Sequence, residues 1–168
     1  MAIRKRRKES FRRGGSQSPG PATLMGLLLR ATILRRPDER TRFNAEVKRT
    51  GGIDSGAIVN AAFQVAVHRL FMSGSDLRRI AQFVADVRRA FGDDFPILEA
   101  EALIREELGE ESATANIDRE TELKAKTYTI VGVSDVSSWT QKEVDDLLIE
   151  AEAIATKNGF NPTLAAET

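Results

Sequence analysis

The segment from Asp54 to Gly74 limits the architecture more than any other part of the chain. Ala57, Ile58, Val59, Ala61, Ala62, Phe63, Val65, Ala66, Val67, Leu70, Phe71 and Met72 leave almost no polar residue between them. The exceptions, Asn60, Gln64 and His68, recur every fourth residue, and on a helix that spacing draws one narrow polar seam. A helix apolar around most of its circumference belongs at the centre of a packed domain. At about 19 residues it is also long enough for a bilayer. The polar seam and Arg69 near its end argue against lipid and for a protein core. Asp54 as cap, Ile53 with Ile58 as entry staple and Gly74 at the exit complete the expected boundaries. For His68 this pattern predicts a buried, hydrogen-bonded ring rather than a proton-transfer group.

The flanking segments are mostly helical in pattern. Thr23 to Leu34 reads as a short helix with Leu24, Leu27 and Leu28 on one side and Arg30, Arg35 and Arg36 near its end, where the helix dipole favours cations. In residues 37–50, Phe43, Ala45 and Val47 alternate with polar residues as in a strand. Pro37, Asp38 and Glu39 at the front and Lys48-Arg49 before Gly51 are helix signals, and helix is preferred. A helix capped by Ser75 runs to Phe91 on a stripe of Leu77, Ile80, Ala81, Val84, Val87 and Phe91. Another starts near Pro96 and ends at Gly109, with acidic polar positions, before a loop over 110–118. Ala125 to Val133, rich in Thr, Tyr, Ile and Val, predicts a strand that has to find a pairing partner. The last helix opens with a Thr140/Glu143 capping box and a Trp139–Val144 staple. It closes with a Schellman ending at Gly159-Phe160, and Pro162 lies beyond.

The net charge of zero conceals a division. Residues 1–49 carry 14 Lys/Arg and 4 Asp/Glu, a balance of +10, whereas residues 50–168 carry 11 and 21, a balance of −10. Arg4, Lys5, Arg6, Arg7, Lys8, Arg12 and Arg13 are concentrated before a Gly/Ser/Pro-rich stretch, the composition of a basic arm and linker. No secretory or twin-arginine leader is expected from this start. Arg78 and Arg89 align at helical spacing with Gln82 and Ala85 and form a second basic candidate. The short turn between the two middle helices raises a helix-turn-helix, but no Asn or Arg pattern at the start of the second helix points at base edges. A plain helical hairpin is the preferred reading.

Several chemistries drop out. The absence of cysteine excludes disulfides and thiolate sites, and one histidine argues against zinc clusters and His-based relays. Gly14-Gly15 and Gly51-Gly52 lack the lysine and strand-turn-helix setting of a phosphate loop. Glu99/Glu101 and Asp146/Glu150 read as solvated carboxylates. No catalytic residue, cofactor or metal site is expected.

These patterns predict a mostly α, compact helical domain of four to five helices with at most one small β element, spanning 23–160. A disordered basic arm and linker (1–22) precede it and a flexible tail (161–168) follows. The expected function is that of a non-enzymatic, cytoplasmic, nucleic-acid-associated accessory or regulatory protein. Its DNA-binding or RNA-binding residues would be Arg4, Lys5, Arg6, Arg7, Lys8, Arg12, Arg13, Arg78 and Arg89, with low sequence specificity. The alternative is a structural or assembly protein, such as a mobile-element or virion component, whose arm docks on acidic protein surfaces. A homo-oligomer is expected, most simply a two-fold dimer; membrane association is not.

Overall fold

The structure, a computed structural model, describes residues 19–51, 55–71, 76–111, 114–161 and 163–165. Seven α-helices run through the described residues: α1 (Leu24–Ile33), α2 (Pro37–Arg49), α3 (Ser55–Leu70), α4 (Leu77–Phe91), α5 (Ile97–Glu107), α6 (Arg119–Ser137) and α7 (Gln141–Lys157). Short 3-10 turns at Gly92–Asp94 and Thr114–Asn116 flank α5. The expected centre is in place. Helix α3 packs most extensively on α6 and α7, and also touches α1 and α5. Ile58, Val59, Ala61, Ala62, Phe63, Val65, Ala66 and Val67 are all buried, as a helix enclosed on most sides demands.

The chain exceeds the expected four to five helices, because all six helical patterns in the sequence form separate helices and the predicted strand is a seventh. Residues 125–133 lie in the middle of α6. Asp118 starts that helix by accepting from the Thr121 amide at 3.0 Å, and Glu120, Glu122, Leu123, Lys124 and Ala125 carry it forward before the β-branched run begins. Thr129 to Ser134 are six consecutive buried residues, so burial here overrides the extended preference of the side chains. Gly132 is what lets α6 come so close to α4. A Cβ there would sit 2.5 Å from Val87 Cγ2.

Other boundaries follow their local signals. Pro37 occupies the first turn of α2, with Asp38 and Glu39 beside it and Lys48 and Arg49 in the last turn, so residues 37–50 are helical as preferred. Thr140 and Glu143 complete the capping box of α7. Its other end has both Schellman bonds, Phe160 N to Ala155 O at 3.1 Å and Gly159 N to Thr156 O at 3.0 Å, with Gly159 at φ 87°. Asp76, not Ser75, caps α4, by accepting from the Arg78 amide at 3.0 Å. Ser75, and the Asp54 cap, Ile53 staple and Gly74 exit expected for α3, lie outside the described residues.

The polar seam of α3 faces outward. Asn60 Oδ1 accepts from Lys126 Nζ at 2.8 Å and His68 Nε2 stands 3.0 Å from Glu107 Oε1, so the seam ties α3 to α6 and α5. His68 is hydrogen-bonded as expected but not buried, with 48% of its side chain exposed.

Helix α1 is fastened to α7 at several points. Arg30 pairs with the buried Asp145, and Glu152 accepts from the amides of Ala22 (3.0 Å) and Thr23 (2.8 Å). Gly26 makes room for this, since a Cβ there would meet Glu152 Oε1 at 2.5 Å. The segment expected to be a flexible tail is in part held. Leu164 forms an antiparallel bridge with Thr23, through Leu24 N to Thr163 O at 3.0 Å and Ala165 N to Ala22 O at 2.9 Å.

Candidate functional site

The seven arm cations, Arg4, Lys5, Arg6, Arg7, Lys8, Arg12 and Arg13, lie outside the described residues. The two candidates on α4 are exposed but do not make a clear basic stripe. Arg89 pairs with Asp86, and Gln82 donates to the same carboxylate at 2.9 Å, so one acid occupies the middle of the expected line. Arg78 pairs with no carboxylate among the described residues. The neighbouring arginines serve the fold. Arg79 donates to the Leu70 carbonyl at 3.0 Å at the end of α3, and Arg88 donates to the Phe95 carbonyl at 3.2 Å. Nothing here groups Arg78 and Arg89 as a site.

The structure gathers a different basic group at the turn between α1 and α2. Helix α1 ends in a Schellman motif, with Arg36 N bonded to Ala31 O at 2.8 Å and Arg35 N to Thr32 O at 3.2 Å. The residue that must take the left-handed conformation in this motif is usually glycine. Here it is Arg35, at φ 54°. A non-glycine residue in this region costs roughly 1–3 kcal/mol and persists only when its surroundings hold it there. Arg35 is held by Asp135, 2.6 Å from its Nη2, and its guanidinium carbon lies 5.9 Å from the centre of the Phe91 ring.

Phe91 in turn sits against Tyr128, with ring centres 4.9 Å apart, and Tyr128 meets Phe95 edge-on at 6.0 Å. Both separations are in the favourable range for aromatic pairs. Arg35 and Arg36 from the turn, Arg40 from the start of α2, Phe91 from α4 and Tyr128 from α6 thus border one cavity of about 410 Å³. A second cavity of about 480 Å³ shares Thr32, Arg40 and Thr127 with it and has an apolar floor including Met25, Leu29 and Leu123. No carboxylate lines either cavity. Arg36 bonds to Gln141 at 2.6 Å and pairs with Glu39 at 3.3 Å, while Arg40 has no side-chain partner among the described residues.

A third cavity, of about 470 Å³, has the opposite character. Glu106 and Glu107 of α5 and Glu122 and Lys126 of α6 line it. The charge division of the sequence is therefore repeated in space: cations at the α1–α2 turn, carboxylates at α5 and the start of α6. Among the described residues no three His, Asp or Glu side chains are grouped to hold a metal ion, and no helix is long and apolar enough to cross a membrane.

Neither the turn arginines nor the aromatic pair was singled out as a site from the sequence. Arg35 and Arg36 read as dipole-complementing cations, and Tyr128 belonged to a predicted strand. The available signal was local. Leu34-Arg35-Arg36-Pro37 joins two helices without the glycine that such a turn normally uses. The chain matches no protein-family model, no curated protein and no solved structure, so its function has to be read from its own residues.

Proposed function

We propose that the protein is a non-enzymatic, nucleic-acid-associated accessory factor that grips phosphates through its Arg/Lys-rich N-terminal arm with little sequence preference. The observation that carries this reading is the charge division, +10 over residues 1–49 against −10 over residues 50–168. A concentrated set of cations attached to an acidic body attracts a polyanion at one end and discourages non-specific contact elsewhere. The described part of the first 49 residues fits this polarity. Exposed Arg40, Arg42, Lys48 and Arg49 are carried on α2, which packs mainly on α1 and leaves much of its surface open.

The test is the salt dependence of binding by the full-length protein to a short duplex. Seven arm cations neutralise roughly five to seven phosphates, which gives a log–log slope of about −4.5 to −6. Changing all seven to glutamine should remove most of the affinity and flatten the slope, whereas Arg78→Gln with Arg89→Gln should do much less. A full-length protein that ignores DNA and RNA at low salt would sink the proposal.

That outcome would favour the assembly reading, in which the arm docks on an acidic protein surface. The cavity lined by Glu106, Glu107 and Glu122 is the feature that supports it.

A further inference from the structure

We infer that the cavity bordered by Arg35, Arg36, Arg40, Phe91 and Tyr128 binds a single nucleotide unit, with the base against the aromatic pair and the phosphate on the arginines. This rests on the nucleic-acid reading above and adds to it a site for a strand whose bases are unstacked. Four observations converge on it.

The cavity has three guanidinium groups and no carboxylate in its lining, although residues 19–168 as a whole carry 18 Lys/Arg against 24 Asp/Glu. Arg40 is unpaired among the described residues. The Arg35–Asp135 pair is 60% and 42% exposed, so solvent already weakens it and a phosphate can compete for the guanidinium. The aromatic pair supplies what a bare anion would not need. Phe91 and Tyr128 are half-buried and buttressed by Phe95, an arrangement that offers a fixed π surface to a planar ring. The volume of about 410 Å³ falls within the roughly 300–1,000 Å³ of small-molecule pockets. Thr32, Arg40 and Thr127 also line the second cavity, beside which a neighbouring unit could lie. Last, the chain keeps an arginine at the left-handed position of the turn, where glycine would be at ease. The residue kept there is one whose side chain borders this cavity.

A base inside a duplex cannot enter such a concavity, so the ligand is single-stranded nucleic acid or a free nucleotide. Both share the chemistry of a base joined to a phosphate.

The experiment titrates the full-length protein with a single-stranded oligonucleotide of about a dozen residues containing 2-aminopurine. The matching duplex, adenosine monophosphate and inorganic phosphate are run alongside. Stacking on the aromatic pair should quench the 2-aminopurine emission. Arg35→Gly combined with Arg40→Ala should weaken single-strand binding about tenfold and abolish the quench, with duplex affinity changed less than about threefold. The same variant should melt no lower than wild type, because relief of the left-handed strain offsets the loss of the exposed Arg35–Asp135 pair and Arg40 holds no partner, so loss of binding would not be loss of fold. Phe91→Leu, which keeps an apolar side chain, should reduce the quench alone. Competition by adenosine monophosphate at the oligonucleotide's own affinity would assign the site to free nucleotides. Competition only by the oligonucleotide would assign it to a strand.

Unchanged single-strand affinity and quench in the Arg35→Gly/Arg40→Ala variant would overturn the inference. So would displacement by inorganic phosphate as effective as by the nucleotide, which would leave an anion site only. The arm reading fails separately, when the seven-glutamine variant keeps its affinity and salt slope.

Discussion

Arg30 of α1 and Asp145 of α7 form a two-pronged pair, Nε to Oδ1 at 2.5 Å and Nη2 to Oδ2 at 3.3 Å, with only 16% and 4% of their side chains exposed. The pair fixes how α1 lies on α7, and with it the direction of the basic hairpin that α1 forms with α2. Removing one partner leaves the other charge nearly buried and alone, a loss of roughly 3–5 kcal/mol. Asp145→Ala should therefore lower Tm by on the order of 10 °C. Arg30→Met with Asp145→Leu should recover most of that, since a well-packed apolar pair often replaces a buried ion pair without loss. A double variant as unstable as the single one would mean that the pair does more than satisfy its own charges.

Two capping carboxylates set an acid limb for stability. The Thr140 amide, followed by its hydroxyl, holds the Glu143 carboxyl below its ordinary 4.5, and the Thr121 amide and hydroxyl hold Asp118 below its ordinary 3.8. Because the folded values are the lower ones, each contribution is complete above the ordinary value and is lost as the pH falls through the folded value. Glu143→Gln with Asp118→Asn should be less stable than wild type at neutral pH, by urea denaturation, and the difference should vanish in strong acid. Equal gaps at about pH 7 and about pH 2 would show that these carboxyls titrate alike in the folded and unfolded chain.

Thr129 is wholly buried in α6, and its hydroxyl is the buried side-chain group without a hydrogen-bond partner among the described residues. An unsatisfied buried hydroxyl is costly, whereas a methyl of the same shape is not. Thr129→Val should raise stability by roughly 1 kcal/mol, seen as a higher urea midpoint at unchanged m-value. A drop in the midpoint would reveal a partner for the hydroxyl in solution.

Leu148 sits at zero exposure within a single chain, in the core that includes Val65 and Val144. The apolar stripe of α7 is consumed by its own fold, and the lone strand that suggested pairing between copies is a helix. The expected homo-oligomer rests on that strand and on the apolar helices at 54–72 and 140–158, and the apolar face of α3 is likewise buried within the single chain. Leu148→Glu should unfold the chain, with loss of helical circular dichroism, because a carboxylate would enter a dry core. A light-scattering mass for wild type above one 18.5 kDa chain would require a surface other than these stripes.

How much could be read beforehand depended on whether a helix kept one face in water. Helix α7 has a wet face, a capping box and a glycine stop, and its boundaries were legible to within a residue or two. Helix α2 was legible through Pro37 and its end charges, despite the strand-like alternation of Phe43, Ala45 and Val47. Helix α6 was not. From Thr129 to Ser134 every side chain is buried, so no period of 3.6 remains, and the β-branched residues were the loudest signal left. The candidate cavity was invisible for a different reason. Arg35, Phe91 and Tyr128 are far apart in the chain, and only the packing of α1 and α4 on α6 brings them to one place.

The bridge between Thr23 and Leu164 places the end of the arm-bearing linker beside the far end of the described chain. Tension applied to the arm while the other terminus is anchored would load the bonds from Leu24 N to Thr163 O and from Ala165 N to Ala22 O, together with those from the Ala22 and Thr23 amides to Glu152. A pull between these points stretches the clasp and leaves the α3 core outside the line of force. A protein tethered in this way could yield at its seam, lengthen by a few residues and close again, while the bundle stays folded.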